Sequence, residues 1–422
     1  MRAIYSFAWW LALPLVLLRL WLRGRKEPGY RQHLGERFGF YRAATGRPGE
    51  RKLWVHAVSV GETRAAEPLI DALLAAYPDH SILLTHMTPT GRATGRTLFG
   101  KHGGRVVQCY LPYDIGWMVG RFLRHFAPRI CILMETEVWP NVMAQCVRHR
   151  VPVALVNARL SERSLARAKR LSALMGDAAR AMSCVAAQTD ADAGRLRQLG
   201  TPNVHVTGSI KFDVAPPEEM LAKGTMLRRQ LGSRPVLLCA STREGEEQLI
   251  LDAWAASRTT DVLLTIVPRH PQRFDEVQKL IEARGLRVYR RSAIADAAIP
   301  QDADVLLGDT MGEMFAYYAA CDVAFIGGSL LPLGGQNLIE ACAVGKPVLI
   351  GPHTFNFAVA TEDAIAAGAT LRVKDASGMI REALRLLQTN QARQAMGANA
   401  QGFARQHRGA TARTMDLLRQ LL

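Results

Sequence analysis

Apolar positions along this chain fall into two regimes. Ala3 to Leu18 is sixteen residues without a charge, and after Arg19 the apolar run continues to Leu22. A helix over Ala3–Leu22 is about 30 Å long, one hydrocarbon core, with Arg19 reaching an interface. From Lys52 the pattern changes to short apolar runs alternating with longer amphipathic segments. Leu53–Val58, Ile82–Met87, Arg105–Leu111, Ile130–Met134, Val153–Asn157, Cys184–Gln188 and His205–Ser209 read as strands. Ala65–Tyr77, Ile115–Phe126, Val138–Arg148 and Ala191–Gln198 read as helices between them. After a linker at Ala215–Pro217 and Glu218–Glu219, a second series begins: Val236–Ala240, Val262–Val267, Leu286–Tyr289, Val305–Leu307, Val323–Ile326 and Val348–Ile350. Strands alternating with helices in this way predict parallel sheets covered on both faces.

The organisation that follows is α/β, with two Rossmann-like domains facing across a cleft in the GT-B arrangement, a fold that several functions share. The expected spans are 1–22 for a membrane anchor, 23–51 for a basic membrane-proximal segment, 52–214 for an N-terminal domain and 215–422 for a C-terminal domain. A chain of 422 residues exceeds what one core usually covers, which agrees with two domains. Arg23, Arg25 and Lys26 follow the apolar stretch, whereas only Arg2 and the terminal amine precede it, so the positive-inside tendency puts the body in the cytoplasm. No small-residue cleavage site follows the stretch, which favours a retained anchor. A helix lying in the interface is the alternative, since Trp9, Trp10, Trp21 and Arg19 suit that depth.

The formal charge of +16 calls for an anionic partner: nucleic acid, a phosphorylated substrate or a membrane surface. Between Arg19 and Lys52 ten Lys and Arg stand against three acids. No nucleic-acid-binding motif is present, so nucleic acid is not expected as a partner. The seven cysteines are scattered without a C-x-x-C pair and sit mostly in apolar runs, which predicts buried thiols rather than disulfides or zinc ligands.

Candidate chemistry collects at strand ends. In WVHAVSVGET the first strand gives way to Ser59-Val60-Gly61, and Glu62 opens a helix; ligands in open α/β sheets sit beyond the carboxyl ends of strands. A glutamate at a helix start also serves as a plain dipole partner. Glu135 and Glu137 in METEVWP end another strand, and Lys211 in VTGSIKFD ends a third. In the second half, Asp322–Phe357 reads as strand, glycine loop, helix over Asn337–Val344 and strand. Its Gly327-Gly328 and Gly334-Gly335 pairs either make tight turns or open a helix start to an anion. Glu340, one turn into that helix, suits a ribose diol. Arg243, Arg269 and His270 in STREGEE and VPRHPQRF suit a phosphate or a base edge, and Met311-Gly312-Glu313 opens a helix whose amides are available.

These residues, with RGRKEPGYRQHLGERFGFY, HAVSVGET, MTPTGR, YLPYD, METEVWPN, NARLSERS, TGSIKFD, STREGEE, VPRHPQRF, GDTMGEM, FIGGSL and GPHTFNF in that order, resemble the 3-deoxy-D-manno-oct-2-ulosonic acid (Kdo) transferases of the lipid A pathway over nearly the whole chain. The resemblance implies an inverting glycosyltransferase that moves Kdo from CMP-Kdo to a lipid A precursor at the inner membrane, its catalytic body on the cytoplasmic side. It implies Glu62 as general base and Glu135 and Lys211 as groups that stabilise the transition state. Pro268, Arg269, Met311, Gly312, Glu313 and the segment Asn337, Leu338, Ile339 and Glu340 match the family's CMP contacts. One departure stands out: the family's GGHNPLE pattern reads GGQNLIE here, so position 336 lacks the histidine while Asn337 and Glu340 remain. CMP-Kdo is a co-substrate, and no cofactor is expected. No Asp-x-Asp cluster is present to hold a metal, and helix starts with Arg and Lys supply positive charge to the leaving phosphate. Two other readings remain open at this stage: a nucleotide-sugar epimerase of GT-B shape, and a non-catalytic membrane protein that binds anionic lipid.

Overall fold

The computed structural model describes residues 1–41, 50–257, 261–294 and 297–422. Part of the basic segment expected over 23–51, residues 42–49, lies outside the described residues. The chain divides into two compact units, Met1–Asp213 with Arg408–Leu422, and Val214–His407.

The first unit is built on a seven-stranded parallel sheet of order β3-β2-β1-β4-β5-β6-β7. Its strands are β1 Arg51–His56, β2 His80–His86, β3 Val106–Tyr110, β4 Ile130–Met134, β5 Val153–Ala158, β6 Cys184–Ala187 and β7 Val204–Val206. Both faces are buried, which is why the strands read as continuous apolar runs rather than alternating ones. Along β4, Ile130, Ile132 and Met134 pack into one layer while Cys131 and Leu133 pack into the other. The switch point of this order lies between β1 and β4, where open sheets place their ligands.

Helices that position the site are α1 Arg2–Lys26, α2 Val60–Ala65, α3 Glu67–Ala76, α4 Gly116–Phe126 and α5 Pro140–Arg148 in this unit. The helix expected over Ala65–Tyr77 is α3, and a separate short helix, α2, precedes it. Pro68, in the first turn of α3, has no N–H to continue the helix through Ala66. The segment Arg408–Leu422, at the end of the span expected for the C-terminal domain, returns to the first unit, where Ala410, Met415 and Leu418 enter its core.

The second unit holds another seven-stranded parallel sheet, β10-β11-β9-β8-β12-β13-β14. Its strands are β8 Val236–Thr242, β9 Leu263–Pro268, β10 Val288–Arg290, β11 Val305–Leu307, β12 Val323–Ile326, β13 Val348–Ile350 and β14 Thr370–Arg372. The helices used below are α6 Glu246–Ser257, α7 Met314–Ala320 and α8 Ile339–Ala343. The last of these is shorter than the helix expected over Asn337–Val344: Asn337 Oδ1 accepts the Ile339 amide in a turn that precedes the helix. All seven cysteines are free and buried.

Candidate active site

In the first unit the chain leaves β1 at His56 and turns into α2 through Ser59. The Ser59 side chain accepts the Glu62 amide, while Glu62 Oε2 accepts the Ser59 amide at 3.0 Å and the Val58 amide as well. That reciprocal capping box is what a Ser-x-x-Glu spacing forms at a helix start. The Glu62 carboxyl is pushed up to about 7, first by burial and then by the Glu137 carboxylate, with a smaller push from Glu135. The amide bonds from Ser59 and Val58 pull the other way and do not cancel it.

Glu135 follows β4 directly and is buried, with its backbone in the left-handed region at φ 56°. Its two oxygens meet two cations: Lys211 Nζ at 2.8 Å and Arg159 Nε at 3.1 Å. Lys211 lies beyond β7 and reaches β4 because Asn157, itself at φ 52° near the end of β5, accepts the Ile210 amide at 3.1 Å and the Ser209 hydroxyl at 3.3 Å. Two non-glycine residues in this strained region at adjacent strand ends mark a site whose geometry the surrounding structure enforces. Glu137 accepts the Trp139 indole N–H at 2.8 Å, and burial raises its carboxyl above the usual range. Glu62, Glu135 and Lys211 therefore do come together, with Glu137 and Arg159 completing the cluster. Three carboxylates share it with two cations, so a proton is readily held at Glu62 near neutrality.

In the second unit the expected donor-binding residues line the carboxyl edge of the sheet. Pro268 ends β9 and is buried, and Arg269 follows it and lies close enough to Glu340 to oppose the burial that raises the Glu340 carboxyl. Asn337 Nδ2 donates to Glu340 Oε1 at 3.1 Å. Met311 is exposed after β11, and Gly312 takes a positive φ of 82° with open space where a Cβ would stand. The Glu313 carboxylate accepts the Thr310 hydroxyl at 2.7 Å. Leu338 and Ile339 are fully buried, so only their backbone is open to a ligand. Burial first, then Arg243, Arg269 and Arg273 lower the His270 pKa, which shows three cationic groups clustered around it at the ends of β8 and β9.

The Gly327-Gly328-Ser329 turn is not an empty anion cradle. Glu246, at the start of α6 and fully buried, accepts the Ser329 and Leu330 amides at 2.9 Å each, together with the Gly328 and Arg243 amides. A carboxylate of the chain itself fills the turn. Its signal was present in the second of the three glutamates of STREGEE, but nothing local marks one of three acids as the buried one that fills the turn. Arg159 and Asn157 were missed for a related reason: their role depends on strand order, which local pattern does not carry. Among the described residues, no group of three or more His, Cys, Asp or Glu is arranged to hold a metal ion.

Comparison with known proteins identifies the family. A family described as "3-Deoxy-D-manno-octulosonic-acid transferase (kdotransferase)" matches residues 32–214. The 3-deoxy-D-manno-octulosonic acid transferase of Bordetella pertussis is 48% identical over 100% of this chain and 99% of its own. That of Haemophilus influenzae is 36% identical over 100% and 99%. Among solved structures, Anabaena HepE in complex with UDP has a TM-score of 0.56 at 18% identity, covering 88% of this chain and 99% of that one. The UDP-GlcNAc 2-epimerase of Neisseria meningitidis bound to UDP-GlcNAc has 0.55 at 15%, covering 87% and 100%. At such identity these two show the fold alone, which is of the GT-B type with two Rossmann-like domains. The sequence relatives decide against the epimerase and non-catalytic readings: the chain belongs to the 3-deoxy-D-manno-octulosonic acid transferase family, and it is a glycosyltransferase.

Proposed function

We propose that the chain transfers Kdo from CMP-Kdo to a lipid A precursor, a tetra-acylated disaccharide phosphate, in lipopolysaccharide core biosynthesis, with inversion and without a metal. The observation that carries this reading is a carboxyl raised to about 7 at Glu62 beside the ion pair of buried Glu135 with half-buried Lys211. A sugar hydroxyl is ionised far above neutrality, so its oxygen needs a base as it attacks the anomeric carbon. Glu62 takes that proton, the new C–O bond forms, and the bond to CMP breaks with its electron pair on the departing phosphate oxygen. Glu135 and Lys211 stabilise the charge that develops during the exchange.

CMP is held in the second unit. Arg269 meets the phosphate, and Glu340, oriented by Asn337, accepts from the ribose hydroxyls. Pro268, the Met311-Gly312-Glu313 turn and the backbone of Leu338 and Ile339 complete the nucleotide contacts. Nucleic acid is not a partner in this reading. The enzyme works at the inner membrane with its catalytic body on the cytoplasmic side. Among the described residues one helix is long and apolar enough to cross a membrane, Arg2–Arg25, and it and the cations Arg23 and Arg25 at its end support that location.

The test is transfer by the purified full chain, with CMP-Kdo generated in place, a tetra-acylated lipid A precursor and EDTA, read by mass spectrometry. A mass gain of one or two Kdo units is expected. Product only after a divalent cation is restored would refute metal independence, and no product under either condition would refute the acceptor.

A further inference from the structure

α1 is long enough to cross a bilayer, yet it is fastened to the first unit along its whole length. Near its start, Tyr5 Oη donates to Asp114 Oδ2 at 2.9 Å, and Ser6 Oγ bonds Asn141 Oδ1 at 3.2 Å. Asp114 is fully buried, and its carboxylate also accepts the Asn141 and Val142 amides that open α5, so these contacts reach the body of the domain. Further along, Trp9, Leu13, Val16 and Leu20 pack with Tyr113, Ile115, Met118 and Met87. At its end Arg31 donates to the Trp21 carbonyl at 3.0 Å. The inward positions recur at helical spacing, and so do the outward ones. Ile4, Phe7, Leu11, Leu15, Leu18 and Leu22 form an outward stripe whose exposures run from 48% to 69%. Beside it Trp10 stacks on Trp117 at 6.3 Å, and Phe40 stands against Trp117 with Arg121 over its ring at 4.1 Å.

We propose that α1 does not span the membrane but lies along its cytoplasmic surface, docked on the first unit, with both ends on the same side and the stripe from Ile4 to Leu22 immersed in the lipid interface. This rests on the membrane location proposed above and fixes its topology. Tyr5 and Gly24 are 19 residues apart, about 28 Å along a helix, which is one hydrocarbon core. Were α1 to cross with its basic end at the cytoplasmic surface, Tyr5 would stand in the far leaflet and carry Asp114 and the start of α5 with it. The exposed Arg121 and Arg124 of α4 would follow into hydrocarbon, which excludes charge. Lying flat satisfies every contact at once. An apolar face enters the acyl boundary, indole rings sit at headgroup depth, and Arg2, Arg19, Arg25 and Arg121 meet anionic headgroups. Met87 follows β2 and Tyr113 follows β3, so the immersed helix runs along the same carboxyl edge of the sheet as Glu62.

The test uses the native burial of all seven cysteines, which leaves an introduced thiol as the one accessible to label. Ala3→Cys and Arg25→Cys variants of the full chain are exposed to a membrane-impermeant maleimide in intact spheroplasts and in inside-out vesicles. Labelling of both positions only in inside-out vesicles is expected. Labelling of Ala3→Cys from outside intact spheroplasts overturns the proposal in favour of a spanning helix. Labelling from neither side until detergent is added also overturns it, because position 3 would then be within hydrocarbon. Recovery of the protein in the soluble fraction would instead sink the membrane location itself. A Leu11→Glu, Leu15→Glu double variant should bind phosphatidylglycerol-containing vesicles at least about 10-fold more weakly, and unchanged binding would overturn the immersed stripe.

Discussion

Replacing Glu62 with Gln separates its two roles. Gln forms the capping box as Glu does, so its side-chain oxygen still accepts the Val58 and Ser59 amides and α2 keeps its start. What Gln lacks is basicity. Removing a general base costs about 10²- to 10⁴-fold in rate, so kcat for Kdo transfer should fall by at least about 10² while CMP still protects the fold against heat. Stability should move in the opposite direction. The Glu62 carboxyl rises from 4.5 unfolded to about 7 folded, so ionising it opposes folding. Wild type carries no such penalty below pH 4.5, loses stability as pH rises from there through 7, and has lost the full amount above it. At 1.36 kcal/mol per unit the ceiling is about 3 kcal/mol, reduced to about 1.5 by the part of the carboxylate that water reaches. Urea unfolding of both proteins at pH 4 and pH 9 measures this: Glu62→Gln should equal wild type at the lower pH and exceed it at the higher. Activity within about 3-fold of wild type would end the general-base assignment, and a stability difference that does not change with pH would refute the raised carboxyl.

Glu137→Gln removes the larger of the two carboxylate pushes on Glu62, so the acid limb of the pH–rate profile should move to lower pH; an unmoved limb would show that another group sets it. Lys211→Ala leaves Glu135 buried with only the largely exposed Arg159 as partner, and about 2 kcal/mol of stability should be lost in urea along with most activity. Glu246→Ala strands four backbone amides, three of them in the Gly328–Leu330 turn, and should cost about 4 kcal/mol or more by the same assay. Asn337→Ala frees the Glu340 carboxylate, so CMP should raise the thermal midpoint less than in wild type, with little change in the midpoint of the free protein.

The sheets were legible in the sequence because strands buried on both faces announce themselves as unbroken apolar runs; Ile130–Met134 is the same five residues by pattern and by structure. One edge strand was not. β14, Thr370–Arg372, is three residues long and ends exposed, which leaves too little apolar signal to separate it from a loop. Glu62, Glu135 and Lys211 were readable as strand-end residues, but their meeting depends on Asn157 pulling the Lys211 loop back over β5. Strand order makes that contact, and order is a property of the whole sheet. The break between α2 and α3 was written in Pro68 and masked by the apolar period that continues across it. Glu246 was the least legible: three carboxylates stand within four residues, and only the tertiary path of the Gly328–Leu330 turn selects one.

The carboxylate of Glu246 is an anion tethered to the site it fills, so its effective concentration there far exceeds that of any free ligand. The Ser329 and Leu330 amides are therefore already taken by the chain itself. The turn after β12 is thus fully ordered before a nucleotide arrives. Donor association has no waiting step while that loop folds, and the donor spends none of its binding energy on arranging it.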